Sequence, residues 1–202
     1  FGFEGIAAES GYMAYYQTSA AAFNQQFFTP PPAPDDLVVE PLHWRHWPTS
    51  APLFLGDFPG VIRSIRAEIF GRASTEGGLL PLLLEGAARQ QQGEAPTTVV
   101  LYNRVTAAVL ALATYQQHPL WPDSRLLDLY CHPGYWDKTA ALLQALALPT
   151  QERVIAYVDR DHTAQYAALT AAGFTLAATL PQWLAADQTN SKRVDVAILA
   201  RG

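Results

Sequence analysis

The stretch from Arg153 to Leu180, RVIAYVDRDHTAQYAALTAAGFTLAATL, limits the fold of this 202-residue chain more than any other. It opens on RVIAYV, a β-branched and apolar run of the kind that forms strands. Ala164, Ala167, Ala168, Leu169 and Ala172 then recur at helical spacing. Asp161 stands where an N-cap would accept from the first free N–H groups, and Gly173 where a left-handed residue ends many helices. Phe174 begins a second apolar run. A strand–helix–strand unit this compact needs a sheet on which the helix can bury its apolar stripe.

The rest of the chain supplies that sheet. DLVVEPL (36–42), TTVVLYN (97–103), AAVLALATYQ (107–116), SRLLDLYC (124–131) and KRVDVAILA (192–200) read as further strands, with RVT (104–106) as a hairpin turn. The segment 58–72 places Val61, Ile62, Ile65, Ile69 and Phe70 on one helical face, with Arg63, Arg66 and Glu68 elsewhere. A second helix is expected over 78–93 with Pro81 in its first turn, and a third over 137–148, capped by Asp137 and stopped by Pro149. This order predicts an α+β (α/β-type) domain, a mixed sheet covered by helices.

Proline-rich TPPPAPDD (29–36) excludes regular structure and reads as a linker. The domain proper is therefore assigned to 37–202. Residues 1–28 are two short strands, either edge strands of that domain or the tail of a preceding similar one, since FGFEGIAA echoes AGFTLAATL.

A hydrophobic fraction of 50% against 15% charged residues fits a buried core and excludes disorder. The net charge of -5, with no Lys/Arg run, argues against nucleic acid, which is bound by neutralising phosphates. No apolar run is long enough for a membrane span. Cys131 stands alone, so no internal disulfide forms and a reducing, cytoplasmic setting is expected. The five histidines, His43, His46, His118, His132 and His162, lack metal-ligand spacing, and no metal is expected. HWRHWP (43–48) reads as a loop, either an aromatic rim of a site or a packed corner.

This order, with LLDLYCHPGYW (126–136) ahead of one helix and DHTAQYAALTAAGF (161–174) ending the next on Gly-Phe, resembles the GNAT superfamily of N-acetyltransferases over about 36–202. The resemblance implies a mostly antiparallel sheet with one splayed parallel strand pair, LLDLYC and RVIAYV, and helices on both faces. Acetyl-CoA or another acyl-CoA would enter the splay and pair with strand backbone at Leu129, Tyr130 and Cys131, as an added strand does. Its phosphates would lie on the helix start at Lys138, Thr139, Ala140 and Ala141, with His162 at the polar position of the closing helix.

Asp128, turned away from Leu127 and Leu129, and Glu68 are the candidate bases; Tyr166 is the candidate acid. The acceptor implied is a small-molecule amine, or a protein N-terminus or lysine, with pairing as a homodimer or tandem domain. The family's glycine-bearing phosphate turn is replaced here by WDKTAA (136–141), with Trp136 and Thr139 at two of its marked positions. That substitution keeps open a second reading, a GNAT-fold module that binds a partner without catalysis. A solvated strand side for Asp128, and a solvated helix face for Arg66 and Glu68, are the plain alternatives to their site roles. Packing is the plain alternative for Tyr130 and Tyr157.

Overall fold

The computed structural model describes residues 4–8, 14–17, 36–56, 58–70, 79–186 and 192–202. The chain divides into two compact units, Phe1–Pro32 and Ala33–Gly202. In the first, β1 (Glu4–Ala8) pairs antiparallel with β2 (Ala14–Gln17), Glu4 opposite Gln17 and Ala8 opposite Ala14. Asp36 apart, the expected linker lies outside the described residues.

The second unit runs β3 (Leu37–Pro41), α1 (Trp47–Leu55), β4 (Ile62–Ser64), β5 (Ile69–Phe70), α2 (Leu80–Gln91), β6 (Thr98–Asn103), β7 (Val109–Gln117) and β8 (Ser124–Cys131). It continues with α3 (Thr139–Ala145), β9 (Arg153–Asp159), α4 (Thr163–Ala171), β10 (Thr175–Ala185) and β11 (Arg193–Arg201). Seven strands form one sheet in the order β10-β11-β9-β8-β7-β6-β3. Neighbours pair antiparallel except β8 with β9, which are parallel. The predicted mixed sheet with one parallel pair is the one found.

Strand alternation assigns side chains to two cores. Leu127 and Leu129 of β8 face a core with Leu142 and Leu146 of the α3 region, Leu169 of α4, and Phe174. Tyr130, the next residue after Leu129, faces the opposite core with Leu53 and Phe54 of α1 and Leu82 and Leu83 of α2. Helices therefore cover both faces, as expected. Among the described residues no helix is long and apolar enough to cross a membrane.

Helix α4 ends as the sequence implies. Gly173 takes φ 88°, in the left-handed region, and Phe174 N–H turns back to Leu169 O at 3.1 Å. Its start differs: the N-cap is His162, without a side-chain capping bond, and Asp161 offers only its carbonyl, to Thr163 N–H. Asp137 does not cap α3 either. Residues Pro133–Lys138 wind as a 3-10 segment, Lys138 is the N-cap, and exposed Asp137 pairs with Lys138 Nζ at 2.8 Å.

The helix expected over 58–72 is not formed. Ile62–Ser64 and Ile69–Phe70 make a small antiparallel pair around a turn in which Glu68 takes φ 56°, outside helical space. HWRHWP is not a loop: Trp44–His46 form a 3-10 turn that runs into α1, and of its six residues His46 alone is buried. His46 is fully buried there, its Nδ1 accepting from His43 N–H and its Nε2 2.7 Å from Glu40 Oε1. Arg45 donates to the same carboxylate at 2.6 Å.

The packing of α3 is directly testable. Leu142 is 0% exposed, so Leu142→Ala is expected to lower stability by about 2–5 kcal/mol in urea unfolding. Leu120, 75% exposed, should change it by no more than about 0.5 kcal/mol on the same substitution.

Candidate functional site

The site is built on a fault in the sheet. The parallel pairing of β8 and β9 covers only Ser124↔Arg153, Arg125↔Val154, Leu126↔Ile155 and Leu127↔Ala156. Both strands run on: β8 stays paired with β7 as far as Cys131, and β9 with β11 as far as Asp159. Each keeps its outer neighbour while the inner edges part. Residues 128–131 and 157–159 thus bound a V whose edges carry backbone polar groups not used by the sheet, and such groups need partners. The residues the sequence offered as strand contacts, Leu129, Tyr130 and Cys131, lie on one arm of this V.

The protein's own side chains enter it. From α4, Gln165 Nε2 donates to Leu129 O at 2.7 Å, and Gln165 Oε1 lies 2.8 Å from His162 Nδ1. Both residues are buried, at 3% and 4% exposure. With the carboxamide nitrogen committed to Leu129, its oxygen accepts from His162 Nδ1–H, which fixes the neutral tautomer. Burial holds His162 below its ordinary 6.5. The Trp136 ring meets it edge-on, with centroids 5.1 Å apart.

From the other face, residues 59–63 cross beneath. Tyr130 Oη donates to Pro59 O at 3.1 Å, and the Asp159 carboxylate accepts from Val61 N–H and, at 3.3 Å, Ile62 N–H. Arg63 donates to the carbonyls of Phe54, Gly56 and Phe58 and lies over the Tyr130 ring. Gly60 takes φ 100°, and a β-carbon there would stand 2.9 Å from His162 Nδ1. Only glycine suits both the backbone and the contact.

Asp128 is not on a solvated strand side. It is 5% exposed and accepts from Ser64 Oγ–H at 2.8 Å and Arg66 N–H at 2.7 Å. Burial raises its pKa, against these hydrogen bonds and the nearby Arg66 charge. Arg66 is not on a solvated helix face: its guanidinium donates to Thr114 Oγ1 at 2.5 Å, to Tyr115 O at 2.9 Å and to Glu85. Burial lowers it to about 10. Asp128 is thus an anchor for the 64–67 turn.

Tyr166 packs on the opposite core, beside α3, so the structure does not bring the candidate base and acid together. Glu68 is exposed at its turn. Lys138, Ala140 and Ala141 lie exposed at the start of α3, while Thr139 is buried and turns its hydroxyl back onto Trp136 O at 2.7 Å. Cys131 is buried with its thiol pointed at His132 O, and burial pushes its pKa up, the reverse of an activated nucleophile. Burial likewise pushes the Tyr130 hydroxyl up to about 12. Tyr157 Oη lies 3.1 Å from His118 Nε2.

Sequence reasoning missed Gln165, Asp159 and Gly60. The available signals were a glutamine on the buried side of an alanine-rich helix, an aspartate closing an apolar strand, and a Pro-Gly pair. Among the described residues no group of three or more His, Cys, Asp or Glu side chains is placed to hold a metal ion.

No family model and no curated protein matches this sequence. Solved structures do. The chain is similar to a ribosomal-protein-S5-alanine acetyltransferase from Vibrio fischeri (TM-score 0.55, 14% identity, covering 82% of this chain and 92% of that one). It is similar to an N-acetyltransferase from Staphylococcus aureus (TM-score 0.55, 17% identity, 82% and 97%). A GNAT superfamily phosphinothricin acetyltransferase from Sinorhizobium meliloti, in complex with AcCoA, is similar to the same degree (TM-score 0.55, 14% identity, 82% and 88%). The chain has the GNAT fold. Identities this low carry the fold alone, and the chemistry rests on the site.

Two expectations test the site's construction. Asp128→Ala strands the Ser64 hydroxyl and the Arg66 N–H, and should cost about 1–3 kcal/mol in urea unfolding. A cost near zero would show that Asp128 anchors nothing. For His162, the folded pKa lies below 6.5, so the unfolded chain binds more protons just below that value. The imidazole's stabilisation is then full above 6.5 and lost as pH falls toward the folded pKa. The stability difference between wild type and His162→Gln should therefore shrink from about pH 7.5 to about pH 5. A difference that stays constant would contradict a buried neutral imidazole.

Proposed function

We propose that this chain is an N-acyltransferase that takes an acyl-CoA thioester into the V between β8 and β9 and passes the acyl group to an amine. The observation that carries this reading is the parting of the two strands after Leu127 and Ala156. A sheet gains nothing from such a gap unless something fills it, and an extended arm with amide groups can pair with the freed strand edge. An AcCoA complex among the similar structures supports the choice of ligand.

The fit is uneven along the ligand. The arm fits the V. The phosphates meet a start of α3 where Lys138 supplies a cation, exposed Asp137 offsets it, and buried Thr139 replaces a small residue. In the transfer the amine nitrogen forms a bond to the thioester carbon, the C–S bond breaks, and the amine proton goes to the departing sulfur or to water. Asp128, tied to Ser64 and Arg66, is a poor base. The acceptor supported best is consequently an amine with an appreciable neutral fraction near pH 7, such as a protein α-amine of pKa about 7.7–8.0, of which about a tenth is neutral, rather than a lysine of about 10.4.

A second reading is favoured by one observation. Gln165 already satisfies Leu129 O, as it would in a GNAT-fold module that has lost its ligand and serves as a structural or partner-binding unit. Residues 1–28 as the tail of a preceding similar domain, joined through 29–36, would fit that role.

Thermal shift with CoA and acetyl-CoA separates the two. Ligand at a hundred times its dissociation constant should stabilise the acyltransferase by about 2.7 kcal/mol. No shift at millimolar concentrations of either would count for the non-catalytic module.

A further inference from the structure

We infer that Gln165 is an internal latch on the V: its carboxamide occupies the backbone position on β8 that an incoming amide-bearing arm must take. The inference rests on the acyl-CoA reading of the V and sharpens it, by naming the residue that sets access.

The geometry is specific. Backbone groups of alternate β8 residues point to opposite neighbours. His132 N–H bonds Leu110 O on the β7 side, so Leu129, at odd spacing from it, turns its carbonyl toward β9. Leu129 lies two residues beyond Leu127, the last paired position, at the point where β9 has moved away. Its carbonyl is thus the first acceptor on that arm that the sheet leaves open. Gln165 Nε2 meets it at 2.7 Å. An amide N–H from a bound arm would make the same bond to the same oxygen, and the two donors compete for one position.

The latch is held from behind. His162 Nδ1 fixes the carboxamide oxygen at 2.8 Å, so the amide cannot rotate without losing that bond. His162 is itself confined by Trp136, edge-on at 5.1 Å, and by Gly60, where a β-carbon would stand only 2.9 Å from Nδ1. Gly60 is held in turn by its neighbours, through Tyr130 Oη on Pro59 O and Asp159 on Val61 N–H. The latch thus couples both faces: a ligand that displaces Gln165 must move its carboxamide on the α4 side or shift His162 against the 59–61 segment. A ligand whose binding-competent state is rarely populated binds more weakly by the population fraction.

The test compares CoA binding by calorimetry in wild type, Gln165→Ala and Gln165→Met. Methionine keeps much of the side-chain length and volume but carries no donor. Both variants should bind CoA roughly tenfold more tightly than wild type, the scale of one hydrogen bond. In wild type, the Gln165 side-chain NH2 signals, assigned by their loss in the variants, should be protected from exchange and become exposed on CoA addition. A residue that merely packs would show neither change.

Equal affinity in all three proteins overturns the latch and leaves the acyl-CoA reading standing. No binding by any of them overturns both. Binding by the folded variants alone, with none by wild type, upholds the latch and makes the natural chain the non-catalytic module. Because Gln165→Ala leaves Leu129 O without its donor and could unfold the chain, the wild-type NH2 measurement, with the signals assigned by selective labelling or by the folded Gln165→Met variant, decides in its place. Side-chain amide signals that exchange freely, or stay protected at saturating CoA, would sink the latch.

Discussion

Everything distinctive in this domain follows from the loss of pairing between two parallel strands after four residues. A backbone carbonyl turned into protein without a partner costs about 1–3 kcal/mol, so β8 and β9 cannot simply part. The chain answers on one face with Gln165 on Leu129 O, while on the other the Asp159 carboxylate at the end of β9 takes the Val61 and Ile62 N–H groups. These contacts place α4 and the 59–63 crossing where they are. Gly60 is glycine, and Tyr130 points down, because both line the seam between the two insertions.

Two buried carboxylates do related work on the second face. Asp128 and Asp159 each accept backbone N–H groups from the short segment between α1 and α2, pinning it to β8 and to the end of β9. Each carboxylate accepts from two donors, Ser64 Oγ–H and Arg66 N–H for Asp128, Val61 N–H and Ile62 N–H for Asp159. Arg66 is then free to bridge Thr114, Tyr115 and Glu85 with its guanidinium. The result is a polar layer inside an otherwise apolar core, with every partner specified. A turn held this way has no freedom to become the helix its apolar spacing allows.

This explains which parts of the structure were legible in the sequence. The strands and α4 read correctly because local pattern and tertiary need agree: RVIAYV is buried on both sides, and Gly173 ends its helix by a conformation only glycine adopts readily. The segment 58–70 misled because Val61, Ile62, Ile65 and Ile69 satisfy either period. What decides between them, Asp128 and Asp159, lies 62 and 98 residues away. Asp128 was correctly turned away from Leu127 and Leu129, but that side is not solvent, since helices cover both faces of the sheet. Asp137 and Asp161 both look like caps. Each lies one residue before the actual one, where Lys138 and His162 begin their helices without a side-chain cap. The V itself is invisible to composition, because a strand that loses its partner has the same residues as one that keeps it. Only the resemblance pointed to it.

The fold alone does not decide what fills the gap. An unliganded V must hide its polar edge, with water, with a ligand or with itself, and the choice sets how readily a ligand enters. Alanine at position 165 would leave Leu129 O to water, and an arm would have only water to displace. Glutamine supplies a donor of the same chemistry as the arm's amide, on the same oxygen, and is held there by His162. The stability of the empty domain and its affinity for a thioester arm are thereby set against each other at one carbonyl. Any substitution that strengthens the bond between α4 and β8 closes the site by the same amount that it stabilises the sheet.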